Sequence, residues 1–160
     1  MNRKKYVAMF ILSSMLLIGC SKNYMMTSIY DNDEKISSTT NSFNLNIEEQ
    51  SIEGQQYRGH IEKIEGMDTI WTYESDEDKE LDMTYLINVT SGKLKLVLIS
   101  PDNSVTNIIE RTNQSDVIDY ATNTLYIKKG LNRIKIVAGK DTGAELDITI
   151  PNGDFKELGM

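Results

Sequence analysis

From Phe43 onward, hydrophobic and polar residues alternate along much of the chain with a period of two. The clearest stretch is 81–89, where five hydrophobic residues alternate with mostly polar ones: Leu81, Met83, Tyr85, Ile87 and Val89. Successive side chains of a β-strand point to opposite faces, so this pattern predicts a half-buried strand. We therefore expect these five side chains in a core and Thr84 on the other face.

Turn signals separate about eight such stretches. Ser91-Gly92 is followed by a strand with Leu94, Leu96 and Leu98 on one face, which predicts a β-hairpin. Further turns are predicted at 101–104 and at Gly130. The segment 115–122 is short and has β-branched residues, so at most a turn or short helix is expected there. The whole pattern predicts an all-β fold, an antiparallel β-sandwich of about eight strands.

Some apolar side chains fall on the second face of these strands. They are Leu86, Val97 and Ile99. Strands with apolar residues on both faces are expected to be covered on both sides, here in part by the segment that precedes Phe43.

The chain begins with three cations, Arg3, Lys4 and Lys5, followed by a mostly apolar stretch over 6–18. This stretch is too short to span a bilayer, which takes about 20 residues. The pattern is typical of a secretory signal peptide. A buried terminal strand or helix of a cytosolic protein, and a membrane anchor that is retained, are the alternatives.

The sequence Leu17-Ile18-Gly19-Cys20 resembles the lipobox of bacterial lipoproteins. The resemblance implies a diacylglycerol on Cys20, cleavage just before that residue, and an additional N-acyl lipid such as palmitate. It also implies that the protein is held on the extracytoplasmic face of the cell membrane. The lipid bilayer would then be a partner through these acyl chains.

These features divide the chain into four parts. Residues 1–19 are the signal peptide, 20–42 the lipidated cysteine with a flexible tether, 43–155 one β-sandwich domain, and 156–160 a tail. The tether is rich in Ser, Thr and Asn and has no sustained period. It also contains an apolar cluster that either docks on the domain or lies near the lipid headgroups: Tyr24, Met25, Met26, Ile29 and Tyr30.

The charge balance restricts the partners. The sequence has 160 residues with 24 acidic and 17 basic ones, and removal of 1–19 leaves 14 basic residues and a net charge of −10. Such a chain repels phosphate backbones, so no nucleic acid is expected as a partner. Cys20 is the only cysteine, which leaves no disulfide within the mature monomer.

A second resemblance lies near the C-terminus. The stretch TLYIKKGLNRIKIVAG (124–139) and the later ELDITI (145–150) look like the closing strands of jelly-roll carbohydrate-binding modules. The matching positions are Leu125, Gly130, Asn132, Ile134 and Ile136. The resemblance implies a jelly-roll-like sandwich. Glycans in that family contact aromatic and polar side chains, which this short motif does not supply.

Two aromatic residues, Trp71 and Tyr73, are the candidate ligand-binding residues. Trp71 is the only tryptophan, and both precede an acidic run. An aromatic ring beside carboxylates suits a sugar ring or a cationic group. The alternative, a tryptophan buried between the two sheets, is common in sandwiches and is favoured.

The acidic run has a carboxylate at every second position: Glu74, Asp76, Asp78, Glu80 and Asp82. In one extended strand these five would share a face and could bind calcium. The glycine of the usual calcium loop is missing, and five like charges repel. A solvated edge that blocks strand addition is therefore favoured over a metal site, and no cofactor is expected.

No catalytic constellation emerges. His60 is the only histidine, the G-x-S-x-G motif is absent, and there are too few Cys and His residues for zinc. We expect a non-enzymatic, membrane-anchored binding module, with a cell-surface glycan as the most concrete ligand. The alternatives are a structural or assembly lipoprotein that binds a protein partner and, less favoured, a hydrolase that uses two carboxylates.

The lipobox generates the first prediction. Cys20→Ala should block lipidation and leave the signal peptide uncut, because the thiol is the acceptor of the lipid. Mass spectrometry and detergent partitioning of wild type and variant measure this. Identical masses and identical partitioning would contradict lipoprotein anchorage.

Overall fold

A computed structural model describes Met26 and residues 28–117 and 119–160. The predicted signal peptide over 1–19 and the predicted lipidation site Cys20 lie outside these residues. The fold is all-β and antiparallel with eight strands, as predicted. The elements in chain order are α1 (Asp33–Ser37), β1 (Ser42–Glu53), β2 (Gln56–Ser75), β3 (Lys79–Ser91), β4 (Lys93–Ile99), β5 (Val105–Thr112), β6 (Ala121–Ile127), β7 (Gly130–Thr149) and β8 (Asp154–Phe155). Within the described part of the chain, no helix is long and apolar enough to cross a membrane.

The two longest strands, β2 and β7, organise the fold. Each has 20 residues, and they pair antiparallel from Gln56↔Thr149 to Ser75↔Gly130. The register shifts near Ile64 and Gly66, where both strands pass from one layer to the other. Gly66 has φ +103°, and a Cβ there would lie 2.1 Å from the Ser42 carbonyl oxygen. The close approach of β1 therefore requires a glycine.

The remaining strands extend the two halves of this pair into two layers. Layer A consists of β5, β4, the first half of β7, the second half of β2, and β8. Layer B consists of β6, β3, the second half of β7, the first half of β2, and β1. The main hydrophobic core lies between the layers and draws on side chains from both.

The predicted register of 81–89 is confirmed. All five hydrophobic residues of the stretch are buried in the main core, Ile87 with only 1% of its surface exposed. Thr84 lies on the opposite face and is half-buried. The alternation predicts the buried side chains correctly because only one face of β3 contacts the core.

The predicted hairpin at Ser91-Gly92 is wrong in its pairing. A tight turn is present, but β3 pairs with β6 and β7, whereas β4 pairs with β5 and β7. The turn instead carries the chain from layer B to layer A, because the long β7 provides a separate pairing partner for each strand. Gly130 makes the same crossing between β6 and β7. The turn at 101–104 does close a hairpin, between β4 and β5.

Residues 28–42, which the sequence assigns to a flexible tether, pack on the outer face of layer A. We call this segment the strap. Its buried side chains Ile29, Tyr30 and Ile36 form a second hydrophobic cluster with Met67, Val97, Ile99 and Val137. This cluster confirms that Val97 and Ile99 are covered on the second face of β4. Composition favoured a tether because the segment has few apolar residues and several of its contacts are made by its backbone carbonyl groups.

The last residues, assigned to a tail, also pack on the domain. Leu158 belongs to the main core. Its backbone N–H donates to Gln50 Oε1 at 2.9 Å, and the Gly159 N–H donates to the buried Asp68 carboxylate at 2.7 Å. Burial raises the pKa of Asp68 despite these bonds.

The register of β3 generates a stability prediction. Ile87→Asp should lower the free energy of unfolding by several kcal/mol, because an unpaired charge would be buried in the core. Thr84→Asp, on the other face, should cost far less. Urea or thermal unfolding of both variants measures the difference, and equal losses would contradict the observed register.

Lys135 generates a prediction about pH. Its side chain is fully buried on the outer face of layer A. Burial and the neighbouring Arg133 lower its pKa to about 8, against an opposing effect of Asp68. The folded-state pKa is thus below the unfolded-state value, so unfolding takes up a proton above pH 8. Stability should rise by about 1–2 kcal/mol between pH 8 and 9.5.

Chemical denaturation at both pH values measures this rise. Lys135→Met should remove it, while Lys140→Met, which changes an exposed lysine of the same strand, should retain it. The same rise in both variants would show that Lys135 is not the source.

Candidate functional site

The outer face of layer B carries a continuous set of polar side chains, which we call the polar face. Strand register aligns them in rows across β2, β7 and β3. Arg58 lies opposite Asp147, and His60 lies opposite Glu145. In the next strand, Asn88 follows Glu145 in its row. The polar face comprises Gln56, Arg58, His60, Asn88, Glu145, Asp147 and Tyr120.

Asp147 is the centre of the hydrogen-bond network on this face. Its carboxylate accepts hydrogen bonds from Gln56 Nε2 at 2.6 Å, Tyr120 Oη at 2.9 Å and Arg58 Nε at 3.3 Å. Partial burial alone would raise the pKa of Asp147, but these hydrogen bonds and the Arg58 charge outweigh it and lower the pKa. Asp147 is therefore held as an anion, which suits an acceptor and not a general acid.

Tyr120 provides an aromatic surface. It directly precedes β6, yet its hydroxyl reaches Asp147 on β7, and β3 lies between these two strands. The side chain must therefore cross the outer face of β3, where Leu86 is the residue opposite Asp147. Tyr120 is 53% exposed, and its hydrogen bond to Asp147 raises the pKa of its hydroxyl. The result is an accessible ring that is fixed in orientation.

A groove of about 460 Å³ adjoins this network. It runs over β1, β2 and β7, and Arg58, His60 and Glu145 belong to both the groove and the polar face. The groove also contains Glu49 and Glu53 on β1. Its lining residues are Glu49, Gln50, Ser51, Glu53, Arg58, Gly59, His60, Glu145 and Leu146.

The charges in the groove are only partly balanced. Arg58 contacts Asp147 and, at 3.6 Å, Glu53. His60 Nδ1 lies 3.4 Å from Glu48 Oε2, at a β-bulge that leaves Glu48 unpaired in the ladder. Glu145 receives one neutral hydrogen bond, from Asn88 Nδ2 at 3.3 Å. The groove therefore has an excess of negative charge.

Rigid donors, acceptors and an exposed ring on one sheet face can bind a polar ligand that has an apolar side. Sugars have this combination, with hydroxyls at the ring edge and C–H groups on the ring face. Nothing in this network acts as an activated nucleophile, because Asp147 and Arg58 neutralise each other and no Ser or Cys joins them.

Trp71 does not lie on a binding surface, which corrects its candidate role as a sugar platform. It is fully buried in the main core. Its Nε1 donates to the Asn152 carbonyl at 2.8 Å. Gly153 (φ +82°) packs against the indole so closely that a Cβ there would lie 2.6 Å from it. The favoured alternative, a tryptophan between the sheets, describes what the structure shows.

Tyr73 is half-buried at the border of the main core. Its ring lies 5.9 Å from that of Trp71, and Lys79 Nζ is 5.9 Å from the ring centre. Tyr73 therefore belongs with the packing around Trp71 and not with the polar face. The two predicted aromatic residues are in contact, but they lie on the core-facing side of β2, where a ligand has no access.

The acidic run does not form one extended strand. β2 ends at Ser75 and β3 begins at Lys79, so Asp76 and Asp78 lie in the connection between the layers. Glu74 remains on β2, while Glu80 and Asp82 are on β3. The Asp78 carboxylate accepts the Lys129 N–H at 2.7 Å. Among the described residues, no three His, Cys, Asp or Glu side chains are grouped to hold a metal ion.

Sequence reasoning missed Tyr120 because the stretch before it mixes polar and β-branched residues without a regular period. The signal that could have identified it is position: Tyr120 is a large aromatic residue shortly before the strand that carries Leu125 and Ile127, where side chains border a sheet face. Its partners Gln56, Arg58 and Asp147 are distant in sequence, and strand pairing alone brings them together.

No family model matches the sequence, and no curated protein matches it. Among solved structures, the fold is similar to one described as "CBM4 structure and function", with 13% identity, coverage of 69% of this chain and 78% of the other, and a TM-score of 0.36. A mutant family 29 carbohydrate-binding module complexed with mannohexaose has 11% identity, coverage of 71% and 94%, and a TM-score of 0.35. The likeness is loose, so the function has to be inferred from the site.

Proposed function

We propose that the protein is a non-enzymatic binding module that binds carbohydrate on the polar face and is anchored to the extracytoplasmic side of the membrane by a lipid on Cys20. The observation that carries the carbohydrate assignment is the exposed Tyr120 ring, fastened across β3 by its bond to Asp147. A fixed ring loses little entropy when a sugar stacks on it. Arg58 and Gln56 stand next to it as hydrogen-bond donors.

The charge of the face favours neutral glycans over acidic ones. Glu49, Glu53 and Glu145 line the groove against Arg58 and His60. Like charges across an interface reduce affinity and slow association. A uronic acid polymer should therefore bind more weakly than a neutral polysaccharide of similar length.

A protein partner is the second candidate, and a separate groove favours it. At the open side of the sandwich, between the free edges of β5 and β6, Leu98, Ile108 and Leu125 line a groove of about 260 Å³. Tyr126 at its rim is 68% exposed. Leu98 and Leu125 are buried at its base, so the exposed apolar element is the Tyr126 ring. An exposed aromatic side chain beside strand edges that carry no further strand in the described chain is typical of a protein-binding surface.

The carbohydrate proposal predicts a specific loss in Tyr120→Ala. Affinity electrophoresis against neutral polysaccharides, including mannan, β-glucan and xylan, with polygalacturonate as the acidic comparison, should retard the wild type in at least one neutral gel. Tyr120→Ala should weaken that binding about tenfold, because stacking and the fixed donor array are lost.

Tyr126→Ala is the matched control. It removes another exposed tyrosine of layer B. Tyr126 lies opposite Glu80, six residues along β3 from Leu86, and is therefore distant from the Asp147 network. It should bind like the wild type, and both variants should melt normally. Equal losses of affinity in the two variants, or unchanged binding in Tyr120→Ala, would show that the carbohydrate site is not at Tyr120. No retardation in any gel would contradict carbohydrate binding.

A further inference from the structure

The strap is held on the outer face of layer A by two cations that bind its backbone. Arg133 donates to the carbonyls of Ser37 at 2.9 Å and Ser38 at 3.2 Å. Lys135 Nζ donates to the carbonyls of Ser38 at 2.8 Å and Thr40 at 2.9 Å. The carbonyl groups of Ser37, Ser38 and Thr40, at and just after the end of α1, are thus bound by charged donors. Charged donors form stronger hydrogen bonds than neutral ones.

Tyr30 makes a second fastening at the other end of the strap. Its hydroxyl donates to Glu110 Oε1 on β5 at 2.8 Å. Lys93 Nζ and Lys95 Nζ on β4 lie 3.8 and 4.9 Å from the centre of its ring. Contacts of this kind between an ammonium group and an aromatic face are attractive. The strap is therefore fastened at both ends, with Ile36 buried between them.

The strap does not share the main core. The side chains beneath it form their own hydrophobic cluster, and the main core lies on the other side of layer A. The strap could therefore leave the sheet while the two layers stay closed. Departure of the strap would expose the apolar side chains of the second cluster to water, so the docked state is favoured. It would leave the main core closed, so docking of the strap is separable from folding of the sandwich.

We infer that the strap is a latch that sets the distance and the orientation of the domain relative to its lipid anchor. The inference rests on the proposed anchorage at Cys20. Cys20 precedes Ser28 by eight residues and Ser42 by 22. At about 3.5 Å per extended residue, the docked strap limits the reach to about 28 Å, whereas a released strap allows about 77 Å.

The latch also determines which side of the domain faces the membrane. The strap lies on the outer face of layer A, and the polar face is the outer face of layer B. These surfaces are on opposite sides of the sandwich. A domain held closely by the strap therefore presents Tyr120 and Asp147 away from the anchor, toward ligands outside the membrane.

Limited proteolysis of the full chain tests the latch itself. The double variant Arg133→Gln/Lys135→Met retains long unbranched side chains but removes both cations. Ile36→Glu is designed to expel the strap without a change in either layer. Both should be cleaved within 28–42 at least tenfold faster than the wild type. Lys140→Met, which changes an exposed lysine of β7, should be cleaved like the wild type.

Fluorescence of the buried Trp71 should be unchanged in all variants, which shows that the main core is intact. If Arg133→Gln/Lys135→Met loses that signal, Ile36→Glu alone decides the test. Wild-type cleavage rates in a variant with an intact core would overturn the latch.

Energy transfer on vesicles tests reach. The full lipidated chain with Thr90→Cys carries a dye on this exposed residue, and phosphatidylcholine vesicles carry acceptor lipids. Transfer should fall at least twofold in the unlatched variants. Faster cleavage with unchanged transfer would overturn the control of reach. Faster cleavage without vesicle binding would refute anchorage while leaving the latch, and glycan binding is measured independently.

Discussion

The pairing of β2 with β7 is the constraint on which the rest of the structure depends. Both strands run through both layers, so in the described chain their ladder is the main connection between the two sheets. In the described chain β1 and β8 attach to β2, and β3 and β4 attach to β7. Only β5 and β6 are one strand further away. The bulges near Gly66 bend this ladder so that it continues from one layer into the other. The main core lies between the two layers that the bend creates.

How far the sequence could predict this fold varies with what the pattern encodes. The alternation in β3 specifies which side chains are buried, because Leu81 to Val89 meet a core on one face only. It does not specify partners, since Ser91-Gly92 fits a hairpin and a crossing between layers equally well. For the strap, the apolar second face of β4 predicted a cover by the segment before Phe43, but not how that segment is held. Arg133 and Lys135 bind its carbonyl groups, which every residue has, so a Ser- and Thr-rich composition reveals nothing about them.

The candidate site shows the same division. Trp71 was singled out by residue type, but its environment is decided by Asn152 and Gly153, 81 and 82 residues later in the chain. The polar face arises from register: Gln56, Arg58 and Asp147 meet because β2 and β7 are aligned as they are. A shift of that register by one residue would turn all of these side chains into the core. Site and fold are thus specified by the same ladder.

The long-range character of the β2–β7 ladder also governs the order of folding. Its closest pair in sequence, Ser75 and Gly130, is 55 residues apart, and Gln56 pairs with Thr149 across 93 residues. The entropy cost of closing loops of this length must be met before the strand contacts stabilise the chain. A high contact order and slow folding, in the range of milliseconds to seconds, are therefore expected. Neither layer can be completed during synthesis until the residues of β7 have emerged from the ribosome. A chain that stays unfolded until then remains competent to cross a membrane before it folds.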